Sequence, residues 1–398
     1  MPGASCCATG NSATGSPSPS SGHGCAVSRA RTTTGRHVRC SSVLPGRSAM
    51  SAERDRPKQH PEYVKQPLSR RAFAARVAAA AGLGGAAAWL AGAPADWPLS
   101  LRDPTGLRSM PSPRPMTLGD YRVDKPAGAP DVSVSRGGGD ALERLRRALD
   151  PLGGITHYVR PGDIVLVKPN VAFDRSPNLG ATSNPELLEA LIRLLLVDAR
   201  AQEVRVADNP IESPADCFAK SGIRAAAERA GGRVYLPDSN AFRVLQTPGA
   251  RLIAEWPIFR RPLTNVDRVI GLAPVKDHNL CSASMGMKNW YGLLGGRRNQ
   301  FHQDIHEIVS DLSLMMKPTL TILDGTHVLM KNGPTGGDPS DVKPGDAVLA
   351  GVDPVALDAW AYEHVLERGR ELPRYLHLAE AKGSGHVDWQ GRVREVRA

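Results

Sequence analysis

Four short apolar runs end in similar polar punctuation, and this repetition limits the folds open to the chain. Ile164–Val167 leads into Lys168-Pro169-Asn170, and Val204–Ala207 into Asp208-Asn209-Pro210. Val269–Ala273 leads toward Lys276 and His278, and Leu320–Leu323 into Asp324-Gly325. Apolar, β-branched runs of this length predict strands buried on both faces. Helical spacing fills the intervals. Ala141, Leu142, Leu145, Ala148 and Leu149 recur at i, i+3, i+4. Ser183-Asn184-Pro185-Glu186 has the form of a capped helix start, and Ile223–Ala230 closes at Gly231-Gly232. Residues 303–316 and Pro354–Glu367 complete the helical set. Strands alternating with helices predict an α/β fold. The expected form is a mostly parallel, doubly wound sheet with helices on both faces. Long stretches at 170–183, 237–265 and 325–346 predict long loops or a small subdomain.

In such a sheet the carboxyl ends of the parallel strands share one edge, and ligands bind outside it. The polar strand ends should therefore converge. Lys168, Lys276 and Lys288 would hold a small anionic ligand, with Asn170 and Asn289 orienting it. Asp324 would position a lysine or a metal. The competing reading is an ion-pair network in which Asp208 and Asp324 neutralise the lysines and no ligand is needed.

The densest chemistry lies in Val269–Val309, which holds Lys276, His278, Lys288, Asn289, Gly295-Gly296-Arg297-Arg298, His302 and His306. Its glycines match neither the phosphate loop G-x-x-x-x-G-K-[ST] nor the dinucleotide loop G-x-G-x-x-G. His278, Lys276 and Lys288 are the candidate catalytic residues. By helical phase, His302 and His306 fall together at the edge of the apolar stripe. With His278 they would then make a three-histidine site for a divalent metal. Gln303 stands where the H-E-x-x-H motif needs Glu, so hydrogen-bonding or acid–base histidines are the alternative. Cys281 lies near His278 with nothing to activate a thiolate, and no G-x-S-x-G is present.

The rest of the chain is organised differently. Residues 1–49 are rich in Ser, Gly, Thr, Arg and Cys without apolar periodicity, and are expected to be disordered or an upstream extension of a chain starting at Met50. Residues 50–95 have a basic region, an Ala-rich run from Val77 to Ala91, and Ala93-Pro94-Ala95 as a cleavage site. Ser69-Arg70-Arg71-Ala72-Phe73 resembles a twin-arginine signal. The expectation is export by the twin-arginine machinery to the periplasm or beyond. The Ala-rich run is too short and too weakly apolar for a membrane span that would persist after cleavage. Residues 96–130 form a Pro/Arg-rich linker, and 131–398 the α/β domain.

Charge and cysteine follow this division. The whole chain has net charge +10. Residues 1–95 contain 12 basic and 3 acidic residues, leaving 38 basic and 37 acidic in the remainder. The near-neutral remainder gives no basis for nucleic-acid binding. Of six cysteines only Cys217 and Cys281 lie beyond residue 95. Two thiolates are too few for an ordinary iron–sulfur cluster.

Several of these motifs recur together in a known family. Lys168-Pro-Asn, Lys276-Asp-His, Met287-Lys-Asn-Trp-Tyr-Gly-Leu, Phe301-His, Asp311-Leu, Asp324-Gly and Gly351-Val-Asp-Pro-Val-Ala-Leu-Asp occur in order. On them the chain resembles the domain-of-unknown-function family numbered 362, from about Asp131 to Leu366. Many relatives carry Thr where this chain has Asp277. Relatives often carry ferredoxin-type iron–sulfur modules, which this chain lacks, so the resemblance implies a fold and a site but no cluster and no set reaction. The expected function is binding of a small anion, with a divalent metal and enzyme-like, redox-related chemistry. The rival is a non-catalytic periplasmic ligand-binding protein or redox-partner subunit.

Overall fold

The computed structural model describes residues 116–398. The extension 1–49, the signal-like segment 50–95 and most of the linker lie outside the described residues. The strands are β1 Val132–Arg136, β2 Ile164–Lys168, β3 Glu203–Ala207, β4 Arg233–Tyr235, β5 Phe242–Gln246 and β6 Glu255–Phe259. They continue with β7 Arg268–His278, β8 Ser282–Ser284, β9 Leu320–Leu329, β10 Val342–Gly351 and β11 Val393–Arg397. The main sheet runs β11-β1-β10-β9-β7-β2-β3-β4, with β8 paired to β7. The pairs β9–β7, β7–β2, β2–β3, β3–β4 and β1–β11 are parallel. Strand β10 is antiparallel to both β1 and β9. The sheet is therefore mixed and mostly parallel, and the carboxyl ends of β2, β3, β7 and β9 lie on one edge, as the strand pattern predicts.

The side-chain alternation of each strand places a core on either face. On β2, Val165 and Val167 join one cluster with Leu188, Leu191 and Leu145, while Leu166 joins another with Trp290, Ile308 and Leu312. On β7, Ile270 and Leu272 face the first cluster and Val269 the second. Burying each such side chain contributes about 1.5–3 kcal/mol. A one-residue slip would swap the two faces, so register is strongly set.

Strand order reverses beside β2. From β2 the chain moves outward through β3 to β4, then returns to place β7 and β9 on the other side. Such a reversal opens a crevice at the carboxyl edge.

Several boundaries differ from expectation. Strands β7, β9 and β10 run well past their apolar cores, and β1, β8 and β11 go unannounced by any long apolar run. The extensions of β9 and β10 pair with each other around a register shift between Pro344 and Ala347. They occupy most of the span expected to be a loop at 325–346. Residues 237–265 hold the β5–β6 hairpin, a small two-stranded sheet whose Phe242, Trp256 and Ile258 pack into the same core cluster as Leu166 and Ile308. The helix expected over 303–316 is present as the α-helix Ile305–Met315, and a 3-10 segment over Arg298–Asp304 precedes it.

Candidate functional site

A cavity of about 60 Å³ opens in the crevice beside β2. A water needs roughly 10–15 Å³ on this measure, so the space suits a few waters or one small molecule. Its lining includes Lys168, Asn170, Lys276, His278, Lys288, Asn289 and His302, seven of the sequence-predicted residues. Asp208 also lines it.

Lys168 ends β2 and is fully buried. Its Nζ lies 2.7 Å from Asp208 Oδ1 and donates to Asn289 Oδ1 at 2.8 Å and to the Pro169 carbonyl at 2.7 Å. Burial pushes this ammonium down and the Asp208 carboxylate pulls it back up. Asp208 also accepts the backbone N–H groups of Val171 and Asn209. Gly292 permits this packing. A Cβ there would lie 1.9 Å from Asp208 Oδ1 and 2.8 Å from Lys168 Nζ. The ion-pair reading thus holds for Lys168, and Asp208 is its partner.

The amides extend the network. Asn289 donates to the Lys168 and Leu272 carbonyls, and its Oδ1 also accepts from Asn170 Nδ2 at 3.2 Å. Asn170 Oδ1 accepts from Lys276 Nζ at 3.1 Å. Ser183 Oγ accepts from Asn170 N and donates to the Leu272 carbonyl, tying the loop after β2 to β7. Most of the amide groups of Asn170 and Asn289 are thus used within the protein. They orient lysines.

Lys276 lies on β7, where the expected loop is instead a strand continuing to pair with β8. Its Nζ also donates to the Ala181 carbonyl and sits 5.4 Å from the centre of the Phe173 ring. No carboxylate pairs with it among the described residues. Burial, then the charges of Lys288 and Lys168, push it well below the usual lysine range.

Lys288 is more isolated. It is 9% exposed, and its ammonium has no hydrogen-bond or ion-pair partner among the described residues. It lies 5.3 Å from the Tyr291 ring centre. Burial and the nearby Arg298 push its ammonium down. The short helix Gly286–Asn289 that carries it is fixed from behind by Asp358, whose two carboxylate oxygens accept Gly286 N–H at 2.9 Å and Met287 N–H at 3.0 Å. Asp358 is fully buried without a cation, and burial raises its carboxyl to about 7.

Arg298 is a residue that the strand-end argument does not reach. It lines the cavity and donates to four backbone carbonyls, of Tyr291, Leu294, Asn209 and Pro210. No carboxylate pairs with it directly among the described residues, although the charge of nearby Asp208 favours its protonated form. Its only forewarning is the Gly-Gly-Arg-Arg run. Asp358 lies in the last of the ordered motifs, but nothing local marks it as a support for Lys288.

The two pocket histidines differ. His278 Nδ1 accepts the Leu280 N–H at 3.2 Å, so the neutral ring carries its proton on Nε2. Burial, then Lys288 and Lys276, lower it to about 2. It offers the pocket a donor. His302 Nδ1 lies 3.0 Å from the Asn299 carbonyl and so carries a proton, leaving Nε2 with a lone pair. The rings stack with centroids 6.5 Å apart.

The expected three-histidine metal site is not assembled. His302 sits in the 3-10 segment and His306 in the following α-helix, so the i, i+4 phase does not carry across the junction. His306 stacks instead on Tyr375 at 6.2 Å and does not line the cavity. Among the described residues no three His, Cys, Asp or Glu side chains gather to hold a metal. Asp324 is likewise outside the cavity. It accepts Thr326 N–H and Oγ1–H in the β9 extension, away from the lysines. Asp277 pairs with Arg368 at 2.6 Å, also outside. Cys217 and Cys281 are separate buried thiols, and burial raises Cys281 to about 11. They do not fit an iron–sulfur cluster.

The family model described as Domain of unknown function (DUF362) matches residues 165–363, which hold the whole lining of the cavity. A thylakoid-associated protein of Synechocystis is 30% identical over 241 residues, 57% of this chain and 70% of that protein. A solved Thermotoga maritima protein aligns with TM-score 0.35 and 16% identity, over 59% of this chain and 60% of its own. The lactate racemase apoprotein of Thermoanaerobacterium thermosaccharolyticum aligns with TM-score 0.28 and 14% identity, over 58% and 57%. The chain thus spans well under two thirds of either solved structure.

Proposed function

The chain belongs to the family described as Domain of unknown function (DUF362), and from that premise we propose that its ordered motifs build a pocket for a small anion. The carrying observation is charge imbalance. Lys168, Lys276, Lys288 and Arg298 line one cavity, and Asp208, the carboxylate in the lining, is already committed to Lys168. A buried cation without a counter-charge costs several kcal/mol, and a bound anion removes that cost. Arg298 keeps its charge under all ordinary conditions. Lys276 gains a proton as the anion enters. The cavity volume restricts the ligand to the scale of phosphate or a short carboxylate.

Two readings of such a pocket compete, chemistry on the anion or simple capture. The lone pair on His302 Nε2, beside two lysines of lowered proton affinity, favours chemistry. A capture site needs donors only. Export by the twin-arginine route is part of this reading and rests on Arg70-Arg71 and the segment after them. An Arg70→Lys/Arg71→Lys chain accumulating in the cytoplasm, with the parent in the periplasm, supports it.

The anion reading is tested by thermal unfolding with phosphate, acetate or oxalate at matched ionic strength. Ligand at a hundredfold its Kd stabilises by about 2.7 kcal/mol. The expected result is a rise in Tm with at least one of these anions, lost in Lys276→Met and Lys288→Met. No rise beyond that given by chloride overturns the proposal.

A further inference from the structure

We infer that Lys288 is a nucleophile that condenses with the carbonyl of a small 2-oxo acid, whose carboxylate is held by the cationic wall of the same pocket. The inference rests on the anion reading and names the substrate class within it.

The geometry separates the pocket cations by what engages them. Lys168 is held by Asp208, Asn289 and the Pro169 carbonyl. Arg298 is held by four carbonyls. Lys276 is held by Asn170 and the Ala181 carbonyl. Lys288 has no acceptor at all among the described residues, although it is nine-tenths buried and its backbone is fixed by Asp358. A structural lysine in such a place would have a partner, since an unpaired buried ammonium is costly. An amine surrounded by Lys276 and Arg298 and shielded from water is instead driven toward its neutral, nucleophilic form.

A ligand that uses all of these features has two parts. Its anionic part meets Lys276, the positive field of Arg298, and the Nε2–H of His278. Its electrophilic part meets the free amine. A carboxylate with an adjacent carbonyl joins the two parts within the few atoms that the cavity admits. Lys288 Nζ attacks the carbonyl carbon and loses a proton, and the carbonyl oxygen gains one, giving a carbinolamine. The hydroxyl leaves as water with one further proton, and a C=N bond replaces the C=O bond. The lone pair of His302 Nε2 accepts the proton lost from nitrogen and returns it to the departing hydroxyl. Amine and carbonyl thus become imine and water, with no change in oxidation state.

Borohydride trapping tests this. The full chain is treated with pyruvate or glyoxylate, then borohydride, and the modified lysine is located by peptide mass spectrometry. Binding of the same acids is measured in parallel by calorimetry. The expected result is one reduced adduct, on Lys288, suppressed by excess phosphate. Lys288→Arg should lose the adduct entirely. An adduct on Lys276 or spread over surface lysines overturns the assignment. Binding without any adduct overturns the nucleophile but leaves the anion reading standing. Failure of these acids and of phosphate to bind removes both.

Discussion

Lys168 and Asp208 lie 2.7 Å apart at the ends of neighbouring parallel strands, and neither side chain reaches bulk solvent. This pair divides the cluster of cations into a structural part and a free part. Breaking a buried pair by removing one partner costs about 3–5 kcal/mol, because the other charge stays buried. Lys168→Met should lie within that range. Asp208→Leu should cost more, because the Val171 and Asn209 N–H groups also lose their acceptor. Urea unfolding measures both. Equal losses would mean that the backbone bonds to Asp208 contribute nothing.

Gly292 is required by the same pair. With Asp208 Oδ1 1.9 Å from the place of a Cβ, Gly292→Ala must displace the carboxylate or the loop. The expected outcome is a Tm loss comparable to that of Lys168→Met, together with loss of anion binding. Gly138, with open space around its missing Cβ, gives the control. Gly138→Ala should leave Tm within about 2 °C, since surface changes stay near 0.5 kcal/mol.

Which parts of this site were legible beforehand follows from the range of each interaction. The strand cores at Ile164–Val167 and Val204–Ala207 announce themselves because both faces are buried and each residue carries the signal. Polar residues just past a strand inherit its position, which is why Lys168, Asn170 and Asp208 were recoverable. Lys276 and His278 were recoverable for a different reason, since β7 continues through them. Asp324 failed because β9 also continues, and its carboxylate turns to Thr326 within the strand. His306 lies apart because the chain changes from 3-10 to α geometry after Asp304, which shifts its phase relative to His302. Arg298 and Asp358 act through backbone groups brought near only by the tertiary fold. No local pattern encodes that arrangement.

The pH dependence of stability should show two opposing limbs. His278 is lowered from 6.5 to about 2, so its contribution is full above 6.5 and is lost as pH falls toward 2. Asp358 is raised from 3.8 to about 7, so its contribution is full below 3.8 and is lost as pH rises toward 7. His278→Gln should therefore flatten the acid limb. Asp358→Asn should remove the opposite slope between about pH 4 and 7. Denaturant midpoints measured across that range decide it. A His278→Gln curve parallel to the parent would show that this imidazole titrates normally.

Lys288 sets stability against function in one side chain. Its favourable contact is the Tyr291 ring at 5.3 Å, worth about 0.5–2 kcal/mol. Against this stands the desolvation of an amine that no acceptor engages, which is larger if the group is charged. Met matches the length of the side chain and needs no acceptor. Lys288→Met should therefore unfold at the same temperature as the parent or higher, with a gain of up to roughly 4 kcal/mol. The stabilisation that anions give the parent should vanish in the same variant. A ligand-free loss above about 1 kcal/mol would instead identify Lys288 as part of the scaffold, since replacement of a cost cannot itself be costly. The sign of that one measurement separates a residue kept for packing from one kept, at the expense of stability, for what enters the pocket.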